Sequence, residues 1–168
     1  NKNASPAPIV SIGLSLKARG VLVDFLLCDE NLNACSECTY KDFKNNKNFI
    51  QYGSSHKCPT CWISGQKSLK EAGFKTLKFS DFEKSKNLKE VNKIYNSVKP
   101  KDIRNFKIDN VYIGEHAYAG TLRYYAKGFI DFTNDEILTL KKFFFAALKT
   151  YFISKNLFKK KKYKSVLL

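Results

Sequence analysis

"VLVDFLLC", residues 21–28, is an almost continuous apolar run of the length of a β-strand. Such a run is typical of a strand that is covered on both faces, as in a parallel sheet. The preceding stretch, residues 5–20, has Pro near its start, apolar residues along its length and Gly20 at its end, which predicts a helix. A helix that leads into a buried strand is one unit of a parallel α/β fold.

The rest of the chain continues this alternation. Helices are predicted at 61–73, 85–98, 115–128 and 134–158, strands or extended segments at 74–80, 106–114 and 161–168, and a polar irregular segment at 29–56. We expect one Rossmann-like domain, residues 1–168. It should form a three-layer sandwich around a parallel sheet, with a Cys-rich insert at 28–62.

The longest predicted helix, 134–158, is strongly apolar and begins with an Asn-Asp cap. Lys141, Lys142 and Lys149 interrupt it. A membrane span needs about 20 residues that are largely free of charge. The pattern therefore favours a buried amphipathic helix.

Both ends of the sequence point to a longer chain. It contains no Met, begins "NKNASPAP" and stops on "KKYKSVLL", which has the pattern of a strand. We expect a fragment that is incomplete at both ends, with a first strand upstream of its start.

The formal charge of +15 comes from 30 Lys and Arg residues against 15 Asp and Glu, and only Arg19, Arg104 and Arg123 are Arg. Proteins that read bases or clamp phosphates favour Arg, because its guanidinium binds in a bidentate manner. The lysines are spread over the whole chain, and the run Lys159–Lys162 is predicted to be a solvated loop. The charge therefore predicts no specific nucleic-acid partner.

Four cysteines have the spacing of a metal site. Cys35 and Cys38 form one C-x-x-C pair, and Cys58 and Cys61 form a second after nineteen residues. This spacing is typical of zinc sites, in which four thiolates surround a tetrahedral ion. We predict structural zinc that orders a polar loop. Free thiols, a redox pair and an iron–sulfur cluster are the alternatives.

Two further residues bear on this site. His56 could replace one thiolate, whereas Cys28 ends the apolar run and is interpreted as a small buried hydrophobic residue. Paired thiols without a signal peptide indicate a reducing compartment, and we expect a cytoplasmic protein.

Three stretches together resemble a family of bacterial glycosyltransferases of capsule polysaccharide biosynthesis with a GT-B architecture. They are "LKARGVLVDFLLCDENLNACSEC", "KCPTCWISGQKSLKEAGFKTLKFSDF" and "IGEHAYAGTLRYYAKG", the last being the most specific. The resemblance covers residues 5–168 and corresponds to the N-terminal half of such an enzyme.

The resemblance implies an enzyme of surface-polysaccharide synthesis with a nucleotide-sugar donor and a glycan acceptor as partners. Most donor contacts would lie in a second, C-terminal Rossmann-like domain that this sequence lacks, so the fragment alone is expected to be inactive. A cytoplasmic location fits this role, with peripheral association at the inner face of the membrane.

Candidate functional residues lie in "GEHAYAGTLRYY", residues 114–125. If a helix begins near Gly114, Glu115 and His116 occupy its first turn, and His116, Gly120 and Arg123 share one face. A neutral imidazole there could act as general base on a sugar hydroxyl. We predict His116 and Glu115 as catalytic residues.

Arg123, Gly114 and Gly120 are the predicted substrate-binding residues. Arg123 could hold a phosphate or a carboxylate, and Gly120 would leave room for the ligand. The structural interpretation of the same stretch is that Glu115 caps the helix, His116 bonds locally and Arg123 pairs with a surface acid.

Two other functional classes remain open from the sequence. One is a zinc-containing nucleic-acid-binding module, which the net charge favours. The other is a noncatalytic α/β scaffold.

Overall fold

The computed structural model describes residues 7–55 and 57–167. It is a mixed α/β structure, mostly helical (61%), with a small parallel sheet. In chain order the helices and strands are α1 (Ala7–Ala18), β1 (Phe25–Leu27), α2 (Asn46–Tyr52), α3 (Cys58–Glu71), β2 (Thr76–Lys78), α4 (Ser85–Ser97), α5 (Ile113–Tyr125) and α6 (Asn134–Lys160). Short 3₁₀ turns lie at Tyr40–Asp42, Ser80–Phe82 and Pro100–Asn105.

The chain divides into two compact units. The strand unit consists of Asn1–Asn31 and Ser55–Asp81, and the helical unit consists of Leu32–Ser54 and Phe82–Leu168. The predicted Cys-rich insert, 28–62, is therefore divided between the two units.

In the strand unit, α1 ends as its sequence predicts. Gly20 has a φ of 76°, and its N–H donates to the Lys17 carbonyl at 3.0 Å. The N–H of Val21 reaches back to the Leu16 carbonyl at 3.0 Å. These two bonds close the helix with a left-handed residue, a conformation that glycine adopts without a Cβ penalty.

The sheet consists of β1 and β2, which pair in parallel with Leu26 opposite Leu77. Each strand has three residues, and β1 and β2 are the only strands within residues 7–55 and 57–167. The predicted strand 21–28 is thus too long, since Leu22 is wholly exposed and has no covering layer. A complete Rossmann-like three-layer sandwich is not seen in the described part of the chain.

The helical unit is organised around α6, which packs against α2, α4 and α5. Leu140, Phe144 and Leu148 are fully buried, so the prediction of a buried amphipathic helix is confirmed. The N-cap is Thr133, one residue before the predicted Asn-Asp cap. Of the helices that the structure describes, none combines the length and the apolar composition that a membrane crossing requires.

Residues 161–167 form neither helix nor strand, in contrast to the predicted terminal strand. A strand needs a neighbour to take up its backbone hydrogen bonds. Within the described part of the helical unit the only such pairing is the single bridge between Ile108 and Val111. The predicted extended segment 106–114 is thereby reduced to a tight turn, with Asp109 and Asn110 at positive φ.

The segment Leu32–Ser54, predicted as a polar loop, belongs to the core of the helical unit. It buries Cys38, Phe43 and Phe49, and the Phe49 ring stacks on Tyr124 of α5 with centroids 4.5 Å apart. The prediction was wrong because the apolar side chains are few and widely spaced in this segment, and their partners lie far along the chain.

Candidate functional site

Helix α5 carries all the predicted catalytic and substrate-binding residues. Its apolar face is inserted in the core and buries Ile113, Ala117, Thr121 and Tyr124. Glu115, His116 and Arg123 are exposed on the other side of the helix. Their spacing places His116 and Arg123 on one face of α5, and both side chains are exposed.

Gly114 fixes the start of this helix against the turn Pro100–Asn105. A Cβ at Gly114 would overlap the carbonyl oxygen of Ile103, so the backbones approach more closely than any other residue allows. The Gly114 N–H also donates to the Phe106 carbonyl at 3.0 Å. Gly114 is thus a packing residue that places the first turn of α5.

Gly120 faces helix α6 rather than open space. A Cβ built on Gly120 would lie 2.7 Å from Cδ1 of the Phe143 ring. The room that the sequence predicts for a ligand at this position is occupied by Phe143. The missing side chain serves the close packing of α5 on α6.

Glu115 and His116 remain available at the start of α5. The N-cap is Tyr112, which makes no side-chain cap, and Glu115 caps nothing either. Among the described residues neither the Glu115 nor the His116 side chain has a hydrogen-bond or ion-pair partner. Two polar groups are therefore presented to solvent where the N-terminal end of the helix dipole favours an anion.

Arg123 connects α5 to the first cysteine pair. Its Nη2 donates to the carbonyl oxygen of Cys35 at 3.2 Å. This contact replaces the surface acid that the structural interpretation of the sequence expected. A guanidinium has five N–H donors, so the bond to Cys35 leaves most of them for another acceptor.

The cysteine pair itself is compact. Cys38 is fully buried and Cys35 half-buried, with their Sγ atoms 3.9 Å apart. The Cys38 thiol hydrogen bond lowers the pKa of Cys35 to about 6, a shift that burial opposes and the Arg123 charge assists. A thiolate at Cys35 is thus favoured near neutral pH.

This geometry fits two ligands of one zinc ion. Sulfurs bound to a tetrahedral zinc at about 2.3 Å stand about 3.8 Å from one another, close to the observed 3.9 Å. Cys58 and Cys61 lie in the first turn of α3, in the strand unit. Within residues 7–55 and 57–167 no group of three or more His, Cys, Asp or Glu is arranged to hold a metal. His56 lies outside the described residues. The four-thiolate zinc site stays a prediction.

No family model matches the chain, and neither a curated protein nor a solved structure matches it.

Proposed function

We propose that this chain is the N-terminal part of a glycosyltransferase-like enzyme that acts in surface or capsular polysaccharide biosynthesis in the cytoplasm. The observation that carries the proposal is the pair Glu115 and His116, exposed and unpartnered among the described residues at the start of α5. The pair lies in the stretch with the most specific family resemblance. The parallel pairing of β1 and β2 is compatible with a larger Rossmann-like sheet of a GT-B enzyme.

The chemistry follows from the side chains. His116 would act as general base and take the proton from an acceptor hydroxyl as the sugar is transferred. Glu115, in the same first turn of α5, is the second proposed catalytic residue. The free donors of Arg123 would hold a phosphate or a carboxylate of the substrate. The nucleotide-sugar donor would be bound mainly by a further C-terminal domain.

Structural zinc is part of this proposal. Cys35 and Cys38 would supply two thiolates, as their separation allows, and Cys58 and Cys61 are the other two ligands that the spacing predicts. The role of the ion would be to order the chain around the cysteines rather than to take part in transfer.

The test uses the full-length gene product and a panel of UDP-, GDP- and CMP-linked sugars with surface glycan from the source organism as acceptor. Released nucleotide is measured. His116→Ala should lower turnover by about 10²–10⁴, the contribution of a general base, with an unchanged melting temperature. Glu90→Ala, an exposed acid on α4, is the control and should transfer sugar normally.

Two results would contradict the proposal. One is a His116→Ala enzyme with wild-type turnover, which would show that His116 is not the general base. The other is a wild-type enzyme that releases no nucleotide from any donor, together with an unaltered surface glycan in a gene deletion. The second result would contradict the proposed glycosyltransferase activity as a whole.

A further inference from the structure

A cavity of about 250 Å³ that is open to solvent is formed by residues of the helical unit, none of them from α5. Its walls come from four places in the chain: Asn33, α2, α4 and α6. The lining residues are Asn33, Ile50, Tyr95, Leu138, Lys142 and Phe145. Leu138, Lys142 and Phe145 are spaced i, i+4, i+7, so they form one stripe along α6.

Three polar groups around this cavity lack a partner among the described residues. The Oδ1 atom of Asn33 is buried without a hydrogen bond. The Tyr95 hydroxyl and the Lys142 ammonium make none with the described residues, and none of the described lining residues is acidic. The buried Asn33 oxygen is the costly one, because a polar atom buried without a partner loses its hydrogen bonds to water. Tyr95 and Lys142 are half-buried and place two further polar groups at the same cavity.

The electrostatics of the cavity favour an anion. Partial burial lowers the pKa of Lys142, and none of the described lining residues is an acid that would oppose this shift. Burial also raises the pKa of Tyr95, which keeps the phenol neutral and able to donate. Lys141 lies 4.4 Å from the centroid of the Tyr95 ring and adds a second positive charge nearby.

The remaining walls are apolar and held in place. The Tyr95 and Phe145 rings meet edge to face at 5.5 Å. Asn33 is fixed because its carbonyl accepts a 3.1 Å hydrogen bond from the Ser54 N–H. Gly53, at a φ of 62°, allows this close approach, since a Cβ there would overlap the Asn33 carbonyl. The site is thus largely formed before any ligand arrives.

We propose that this cavity binds a small carboxylate that carries a hydroxyl group on an apolar body. Lys142 and Tyr95 donate to the carboxylate, and Asn33 Oδ1 accepts from the ligand hydroxyl. The cavity, about 250 Å³ and open on one side, has room for a hydroxylated aromatic acid or an aliphatic acid of similar size. The inference does not depend on the proposed glycosyltransferase activity.

The experiment measures binding of 3- and 4-hydroxybenzoate to the whole chain by isothermal titration calorimetry and by NMR shifts. Lys142→Met keeps the length of the side chain and removes its charge. Binding should weaken by about tenfold or more, as expected for the loss of a hydrogen bond to a charged group. Tyr95→Phe should weaken it less. Lys93→Met, an exposed lysine on α4, is the matched control and should bind as the wild type does.

Further probes separate the parts of the ligand. Benzoate, which lacks the hydroxyl, and 4-hydroxybenzyl alcohol, which lacks the charge, should each bind more weakly than the better hydroxybenzoate. The proposal is overturned if neither hydroxybenzoate binds, or if Lys142→Met binds it as well as wild type. It is also overturned if inorganic phosphate displaces hydroxybenzoate at equal concentration, because the apolar walls would then contribute nothing. Unchanged far-UV circular dichroism of each variant shows that the fold is retained.

Discussion

The ring of Phe143 fills the space beside Gly120, where a Cβ would stand 2.7 Å from the nearest ring atom. Gly120 is inside a helix, a position at which alanine is normally about 1 kcal/mol more favourable than glycine. The two effects oppose each other, and the short distance shows that the steric one is larger.

Gly120→Ala should therefore destabilise the protein, by about 1–3 kcal/mol as for other overpacked cores. Urea unfolding gives the free energy. Gly128→Ala is the control, because nothing lies within 4 Å of the added carbon. Phe143→Leu in the Gly120→Ala background should recover part of the loss. A variant with Gly120→Ala as stable as the wild type would show that α5 and α6 are not in close contact.

The link between the segment Leu32–Ser54 and α5 can be tested at a single hydroxyl. The Tyr124 hydroxyl donates to Asn46 Oδ1 at 3.0 Å inside the core. Tyr124→Phe leaves that oxygen without this donor, at a cost of about 1–3 kcal/mol. Tyr52→Phe, at an exposed position, should leave the free energy of unfolding unchanged. Equal stability of the two variants would argue that Asn46 does not pack on α5.

The zinc prediction is tested by elemental analysis. Purified protein should carry about one zinc per chain, as one tetrahedral site requires. Cys35→Ser and Cys58→Ser should both release it, whereas Cys28→Ser should not. If Cys35→Ser released the metal and Cys58→Ser did not, the two cysteine pairs would not bind the same ion. If purified wild-type protein contained no metal, and the cysteine substitutions did not change its melting temperature, the zinc prediction would be wrong. The free-thiol and redox alternatives would then remain.

Stability in acid should depend on Glu136. Its carboxylate accepts from Lys127 Nζ at 2.6 Å and from the Thr133 N–H at 3.2 Å. Burial raises the pKa of Glu136, but these hydrogen bonds outweigh burial and hold the pKa below its ordinary value.

The sign follows from linkage. The unfolded chain, with a Glu pKa of about 4.3, takes up the proton first, so the stabilisation is complete above that pH and is lost as the pH falls through the lower folded value. In the Glu136→Gln variant the melting temperature should decrease less as the pH falls than it does in the wild type. Glu90→Gln should show the wild-type decrease. Parallel curves for wild type and Glu136→Gln would contradict this assignment.

Binding to nucleic acid should be weak and non-specific in spite of the +15 charge. The lysines are spread over the whole chain, and three of the largest aromatic residues, Phe49, Tyr124 and Phe144, are buried and cannot stack on bases. Exposed rings such as Tyr52 and Phe129 allow only weak contacts without sequence preference. Fluorescence anisotropy with DNA and RNA should show affinity that falls steeply with salt and has no sequence preference. A tight complex at near-physiological salt would favour the nucleic-acid-binding module instead.

The features that the sequence predicted correctly are local. The end of α1 at Gly20 and the apolar stripe of α6 depend on neighbours within a few residues. The strand lengths and the role of Leu32–Ser54 depend on partners that are distant in the chain. Patterns that span only a few residues do not show which distant segments of a chain pack together.

The same distinction applies to the sites. The exposed face shared by His116 and Arg123 follows from helical spacing, whereas the occupant of the space beside Gly120 comes from another helix. One feature of the local sequence points to the cavity around Lys142. Two lysines interrupt an otherwise apolar run, which is unusual for a buried helix face.

The interleaved chain path of the two units has a consequence for synthesis on the ribosome. Phe25 cannot pair with Thr76 until about fifty further residues have left the exit tunnel. Phe49 and its neighbours must wait longer still for Tyr124 and α6. During translation the nascent protein therefore exposes apolar segments before their partners have been made, and exposed apolar surface of this kind is prone to aggregation.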